Sequence, residues 1–366
     1  MINKVTKVIV KYNGLVVGYL VESGDKIAFK YDNEWLKNGF SISPLSLKLS
    51  SDVFVSTKQH FGGLFGVFHD SLPDGWGELL VRRMLIKKGI NPDKVSTLTK
   101  LTLISGNGLG ALTYEPCQVS HVDQVCDLDT LANECKKILE DENDFVDLDK
   151  LFDVGGSSGG ARPKAHLKID NDFWIVKFPS SIDPVNIGEL EFQANSLAKK
   201  CGINVNEFTM FKSNNGNAYF GAKRFDRQKD KNVHMISLSS LLETSHKIPN
   251  LDYIHLFQVI DKICVQKEDL YEAFKRMCFN VFYGNKDDHG KNFAFLYDED
   301  LRGYKLSPAY DLTKTPRKLE HEMSVNGNGM PSESDLLAVA SSFDLSLERC
   351  KQIMESIKSL LNCDIK

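Results

Sequence analysis

A chain of 366 residues exceeds one ordinary domain and can bury a large core, so two domains, or one bilobal enzyme with an accessory module, are expected. Hydrophobic content of 42% and charged content of 26% are ordinary globular values. The 45 Lys and Arg set against 49 Asp and Glu leave a net charge of −4, which argues against non-specific nucleic-acid binding as the main activity, and the lack of any run of about 18 apolar residues argues against a membrane span.

The amino terminus, MINKVTKVIVKYNG, alternates apolar and polar residues from the start, with neither a continuous apolar core nor a small-residue cleavage site, so no leader peptide is expected. The eight cysteines include no C-x-x-C pair, which removes the usual zinc and thioredoxin-like readings and leaves scattered reduced thiols of a cytoplasmic protein. Through KVTKVIVKYNGLVVGYLVESGDKIAFKYD, strand-like runs are separated by Asn13-Gly14 and Ser23-Gly24-Asp25, the chemistry of hairpin turns, and a compact antiparallel sheet is predicted. The period then changes. Entered through Pro73-Asp74-Gly75, the residues Leu79, Leu80, Arg82, Arg83, Met84, Leu85 and Lys87 predict a helix with apolar and basic faces.

The stretch ISGNGLGALTYEP (104–116) is glycine-rich, but a lone G-x-G-x-G without a surrounding βαβ unit reads as a turn and packing element. From Val122 to Lys150 the chain is acidic and helical, with Leu128, Leu131, Cys135, Ile138 and Leu139 at helical spacing. Its aspartates do not match a calcium loop, which also needs a central glycine and a terminal glutamate.

In DVGGSSGGARPKAHLKIDNDFWIVKFPSS (153–181), Gly155, Gly156, Gly159 and Gly160 bracket Ser157 and Ser158 ahead of β-type sequence. Backbone N–H groups in such a loop can approach phosphate oxygens without hindrance from Cβ. It is not a Walker A motif, because no Lys-Ser or Lys-Thr follows the last glycine. Lys177 lies inside the apolar strand FWIVKF, where an ammonium is costly without an anionic partner unless alternation turns it to solvent. Protein kinases place in such a strand a lysine that grips the α and β phosphates of ATP and pairs with a helix glutamate. The helix that would carry it follows at 188–203, with an apolar stripe of Leu190, Ala194 and Leu197, and with Glu189 and Glu191 both available. β-type sequence continues to Arg227, and from about Val233 the pattern is helical, which sets a lobe boundary near 223–227 where adenine would dock.

Between two strongly apolar flanks, VFYGNKDDHGKNFAFLY (281–297) concentrates side chains suited to phosphate and metal chemistry. Asp287 and Asn292 have the spacing at which protein kinases place the aspartate that accepts a hydroxyl proton and the asparagine that holds magnesium. Asp288 is the poorer base, since the residue at the same spacing beyond it is Phe293, which cannot bind metal. Asp311, in YKLSPAYDLTKT after a short strand, stands where kinases keep a second metal-binding aspartate. HEMSV at 321–325 opens like a zinc-protease motif, but Val325 stands where the second histidine belongs.

The segments FKYDNEWL (29–36), SLPDGWGELL (71–80), SSGGARPKA (157–165), KRFDR (223–227), DDHGKN (287–292) and SPAYDL (307–312), in this order, resemble the HipA family of bacterial toxin kinases. The resemblance implies an α+β, bilobal, protein-kinase-like fold. It implies an amino-terminal subdomain over 1–112, a kinase N-lobe over 113–228 and a helical C-lobe over 229–366. It further implies a serine/threonine kinase using ATP and Mg²⁺. Asp287 matches the family's catalytic aspartate, Asn292 and Asp311 its magnesium ligands, and Lys177 its ATP-binding lysine. Ser158, Gly159, Gly160 and Ala161 fall on the phosphate loop, Lys223 and Phe225 on the adenine hinge, and His289 and Lys291 near the phosphates. Ser157 aligns with the autophosphorylated serine, with Ser158 as the rival acceptor; a phosphate there would displace the loop and switch the kinase off. The implied partners are a HipB-like helix-turn-helix antitoxin, DNA through that antitoxin alone, and a protein substrate such as an aminoacyl-tRNA synthetase. The chain after Asp311 is shorter than in the longest family members, which bears on the surface that would meet the antitoxin. Two other readings are a co-repressor with a structural nucleotide pocket and a small-molecule phosphotransferase. The full set of catalytic residue types disfavours the first, and the β-rich amino-terminal module with the loop serines disfavours the second.

Overall fold

In the first fifty residues the backbone follows the alternation of the sequence. A computed structural model describes residues 2–24, 26–104, 108–119, 127–140, 147–157, 159–180, 183–184, 186–228 and 231–364. Strand β1 (Lys7–Tyr12) buries Val8, Val10 and Tyr12 and turns its lysines outward. It pairs antiparallel with β2 (Leu15–Ser23) through a two-residue turn in which Asn13 and Gly14 have φ of 46° and 86°, the type I′ geometry that matches strand twist. β3 (Lys26–Tyr31) buries Ile27, Phe29 and Tyr31; β4 (Val53–Val55) and β5 (Leu112–Glu115) complete an antiparallel sheet of order β4-β3-β2-β1-β5. Between β3 and β4, α1 (Asn33–Asn38) is N-capped by the Asp32 carboxylate. Each fully buried Val, Leu or Phe contributes about 1.5–3 kcal/mol, so such a face outweighs any single turn preference.

Helices α2 (Gly66–His69), α3 (Gly75–Lys87) and α4 (Thr97–Leu101) lie between β4 and β5, and α5 (Leu128–Leu139) and α6 (Leu148–Gly155) follow. Strands β6 (Lys164–Ile169) and β7 (Asp172–Lys177), then α7 (Ile187–Lys200), β8 (Phe208–Lys212) and β9 (Ala218–Lys223), complete this part, with sheet order β6-β7-β9-β8. Trp76 and Leu80 of α3, Leu131 and Ile138 of α5, and Leu151 of α6 pack with Ala165, Trp174 and Val176 in one core under that sheet. The chain continues through β10 (Met235–Ser237), α8 (Leu238–Leu241), β11 (Leu251–Asp252), α9 (Tyr253–Ile263), α10 (Glu268–Tyr283), β12 (Ala294–Asp298), β13 (Gly303–Leu306), β14 (Met323–Ser324), α11 (Glu333–Ser342) and α12 (Leu347–Asp364). By its contacts it divides into two units: Met1–Gly188 with Thr209–Ile236 and Ser240–Thr244, and Glu189–Phe208 with Ser237–Ser239 and Ser245–Lys366. In the second, α10 packs on α9, α11 and α12, and β12 pairs antiparallel with β13. Among the described residues no helix is long and apolar enough to cross a membrane.

Three sequence expectations need correction. Gly155 closes helix α6 and so lies outside the glycine loop, because the amphipathic pattern of Leu148, Leu151 and Phe152 carries the helix one turn further. The helical pattern expected from Val233 is held back to Tyr253, since Pro249 and the polar run Glu243–Lys247 interrupt it and leave α8 only four residues long. In α7 the buried face is Glu191, Ala194, Asn195 and Ala198, whereas Leu190 is exposed.

Gly108 and Gly110 are tied down by a buried ion cluster in the first unit. Asp226 takes Arg224 Nε at 2.9 Å and Nη2 at 2.7 Å, Arg227 Nη1 at 2.9 Å, and the Gly110 N–H at 2.7 Å; Arg224 Nη2 also donates to the Gly108 carbonyl at 2.7 Å. Burial alone would raise the Asp226 carboxyl, but the two guanidiniums outweigh it and hold the group far below the usual carboxylate range. Burial pushes Arg227 down to about 10 against the pull of Asp226. Removing the carboxylate leaves two buried cations facing each other, so Asp226→Asn should cost about 3–5 kcal/mol in chemical denaturation. A depressed folded pKa stabilises above the unfolded value of about 3.9 and loses that contribution as pH falls through the folded value. The stability of Asp226→Asn should therefore vary less than wild type between pH 4 and lower pH, as measured by denaturant midpoints across that range.

Candidate functional site

Helix α10 ends where Gly284 adopts φ 80° and returns its N–H to the Asn280 carbonyl, a left-handed cap that only glycine adopts without cost. The chain then runs through residues 285–293, with a 3₁₀ turn over Gly290–Asn292, into the buried strand β12. A polar loop is thus held at both ends by apolar elements.

Its two adjacent carboxylates occupy opposite environments. Asp288 is 1% exposed and fully hydrogen-bonded: Oδ2 accepts the Tyr253 hydroxyl at 2.8 Å and meets His321 Nδ1 at 2.8 Å, while Oδ1 accepts the Glu322 N–H at 3.0 Å. The network runs on, since Asn280 Nδ2 donates to the Tyr253 oxygen at 2.9 Å and Asn285 Nδ2 to Asn280 Oδ1 at 2.9 Å. Burial, and then the Asp288 charge, raise the Tyr253 phenol well above its ordinary range and keep it a neutral donor. Behind the loop a small cavity is lined by Arg276, Asn280, Asn285, Asp288, Asn292 and Tyr310 among others. Arg276 Nη1 and Asn285 Oδ1 are buried without a hydrogen-bond partner among the described residues, a donor and an acceptor suited to one bridging water.

Asp287 is part-exposed, and its Oδ1 accepts from Lys318 Nζ, which also donates to Glu322 Oε1 at 2.7 Å. Burial would lower the Lys318 ammonium, but its hydrogen bonds to Asp287 and Glu322 outweigh this and raise it. Asn292 Nδ2 donates to the Asp287 carbonyl at 2.7 Å, which fixes the amide's orientation and commits its nitrogen, leaving Oδ1 for a cation. Asp311 sits at φ 53°, a left-handed conformation that aspartate adopts more readily than most residues. Just before it, Tyr310 donates its hydroxyl to the Lys291 carbonyl at 2.5 Å. The His289 ring lies 5.4 Å from that of His246. Among the described residues no three of His, Cys, Asp and Glu gather to hold a metal alone. Mg²⁺ needs no such cage, since it binds through one or two protein oxygens with water and phosphate. An uncommitted amide oxygen fits that role.

The remaining expected residues, apart from Glu189 and Glu191 of α7, lie on the first unit. Gly159, Gly160 and Ala161 form the exposed loop before β6; Ser158 falls outside the described residues. Gly160 donates its N–H to the Asp74 carboxylate and accepts the Trp76 N–H at 2.9 Å on its carbonyl. Gly75, at φ 47°, makes this approach possible, because a Cβ there would stand 2.5 Å from the Gly160 oxygen. Lys177 closes β7, its Nζ 5.9 Å from the centre of the Phe220 ring. In register across from it on β6, Lys164 is buried and donates to the Gly159 carbonyl. Lys223 pairs with Asp172 at 2.7 Å, and Phe225 is half-buried beside Arg224. Ser157 Oγ lies 3.3 Å from His166 Nδ1, which also meets Arg224 Nη1 at 3.2 Å. On α7, Glu191 is buried and Glu189 exposed. Sequence reasoning missed Lys164, Lys318 and the loop-pinning role of His321; the only signal was proximity to motifs already noted.

A family model described as the HipA-like C-terminal domain matches residues 156–362, and one described as the HipA N-terminal domain matches residues 8–115. Two Sinorhizobium fredii proteins are similar in sequence. Putative kinase Y4dM is 31% identical over 163 residues, which are 41% of this chain and 39% of that protein, so the chain spans about two fifths of its length. Putative kinase Y4mE is 25% identical over 337 residues, 83% of this chain and 76% of that one. Among solved structures, the chain resembles one from the Shewanella oneidensis MR-1 toxin–antitoxin complex of HipA, HipB and operator DNA, with a TM-score of 0.70 and 19% identity over 97% of this chain and 90% of that chain. The α+β, kinase-like fold expected from the sequence is the fold found.

The contrast between the paired carboxylates predicts opposite mutational costs. Asp288→Ala strands several buried polar partners and should cost about 3 kcal/mol or more. Asp287→Asn removes only a part-exposed pair and should stay within about 1 kcal/mol of wild type. Urea unfolding of the two variants checks the difference.

Proposed function

The chain belongs to the HipA family, and on that premise we propose that it is an ATP- and Mg²⁺-dependent serine/threonine protein kinase, the toxin of a toxin–antitoxin pair. The observation that carries the proposal is the loop 285–293: a part-exposed carboxylate at Asp287 beside an amide at Asn292 whose nitrogen is spent on the Asp287 carbonyl. A pinned loop of this kind suits phosphoryl transfer, which is served mainly by positioning and charge neutralisation. Asp287 would orient a serine or threonine hydroxyl and take its proton. Asn292 and Asp311 would hold Mg²⁺, which when bound supplies charge neutralisation at the phosphate oxygens. Lys177 and the amides of Gly159, Gly160 and Ala161 would hold phosphate oxygens, with Lys223 and Phe225 at the adenine and His289 and Lys291 near the phosphates.

The kinase designations of the Sinorhizobium relatives support this reading, and the HipA–HipB–operator assembly of the Shewanella neighbour supports a HipB-like antitoxin as partner, with DNA met only through it. The net charge of −4 agrees with indirect DNA contact. The family resemblance points to a translation protein such as an aminoacyl-tRNA synthetase as substrate, and to autophosphorylation at Ser157 as the off-switch.

Incubation with labelled ATP and Mg²⁺, followed by mapping of the modified residue, tests the proposal. Asp287→Asn should abolish labelling while Mg·ATP affinity stays within about threefold, because the carboxylate serves the hydroxyl and not the nucleotide. Asp311→Asn should weaken Mg²⁺-dependent ATP binding in calorimetry. Wild-type labelling by Asp287→Asn removes that residue from the mechanism.

A further inference from the structure

We propose that Lys318 is a further catalytic residue, holding one oxygen of Asp287 while its remaining N–H stabilises the phosphoryl group in transfer; this rests on the assignment of Asp287 above. The contact is more than a surface pair. The Lys318 and Leu319 carbonyls accept Lys286 Nζ at 3.1 and 2.9 Å, the Lys286 N–H reaches Thr315 Oγ1 at 2.7 Å, and the Thr315 N–H reaches the Gly284 carbonyl at 3.1 Å. Four residues on, the Glu322 N–H is fixed to buried Asp288. The backbone carrying the ammonium is therefore fastened to the same loop that carries the base.

Donor counting gives the role. An ammonium has three N–H groups, and two here go to Asp287 Oδ1 and Glu322 Oε1. The third remains for a phosphoryl oxygen, and Asp287 Oδ2 remains for a hydroxyl. A carboxylate base beside a phosphoryl group faces like-charge repulsion, which a fixed cation between them offsets. In the step, the hydroxyl oxygen forms the new O–P bond and its proton passes to Asp287 Oδ2. The bond from phosphorus to the bridging oxygen breaks, and that electron pair departs with ADP. Lys318 stays protonated throughout.

The experiment compares wild type with Lys318→Met and Lys318→Arg. Steady-state kinetics are read beside calorimetric affinities for Mg·ATP and for Mg·ADP with aluminium fluoride, a mimic of the transferring phosphoryl group. Lys318→Met should lower kcat by roughly 10²-fold with KM for ATP nearly unchanged, should lose affinity for the fluoride complex more than for Mg·ATP, and should be partly rescued in Lys318→Arg. A kcat within threefold of wild type, equal losses for both ligands, or a rise in kcat, which would make the contact an inhibitory clamp, each overturns the inference while the kinase assignment stands. A wild-type chain that transfers no phosphate overturns both. Should Lys318→Met fail to fold, Lys318→Gln carries the same measurements.

Discussion

A buried carboxylate has to find hydrogen bonds for its oxygens, and Asp288 finds them from separate stretches of chain. Tyr253 begins α9, His321 and Glu322 precede β14, and Asp288 itself follows α10. One group therefore fixes where two helices and a returning segment meet. Asp287 precedes that junction by one residue, and Asn292 closes the loop onto the Asp287 carbonyl. The cost of burying the carboxylate is offset by the hydrogen bonds it accepts, and those bonds also fix its neighbour's backbone, which an exposed loop of glycines and charges would not achieve alone.

The first unit relies on a charged cluster of another kind. Asp226 between Arg224 and Arg227 gathers the Gly108 and Gly110 backbone to the end of β9, so these two glycines are held through their carbonyls and an amide. The charges in KRFDR are what these two glycines pack against.

What could be read in advance divides by mechanism. Alternation and turn dipeptides made the first sheet legible, because burial of one face and the sign of φ at Asn13 and Gly14 are local matters. The loop between α10 and β12 was legible for the same reason: its flanks are apolar and Gly284 ends the helix. Lys318 was not, since it lies 31 residues beyond Asp287 in a polar stretch where nothing separates it from Lys314 or Arg317. Lys164 carries no such mark, because its neighbours are Pro163 and Ala165, whereas Lys177 stands in an apolar strand. In α7, the spacing of Leu190, Ala194 and Leu197 suggested one face, yet Glu191, Ala194, Asn195 and Ala198 fit helical geometry equally well and form the buried one. Hydropathy assigns polar residues outward, and a buried glutamate defeats that rule.

The clasp between Asp74 and Gly160 has a thermodynamic consequence. The loop amide already holds an anion, supplied by the chain itself and kept at high effective concentration by the short turn that Gly75 permits. Any phosphate that takes that amide must do so by exchange, with an internal competitor returning to water as the ligand arrives. Affinity for such a phosphate would then be a difference between two anions rather than the sum of new contacts, with the side chain of Asp74 setting the zero from which it is measured.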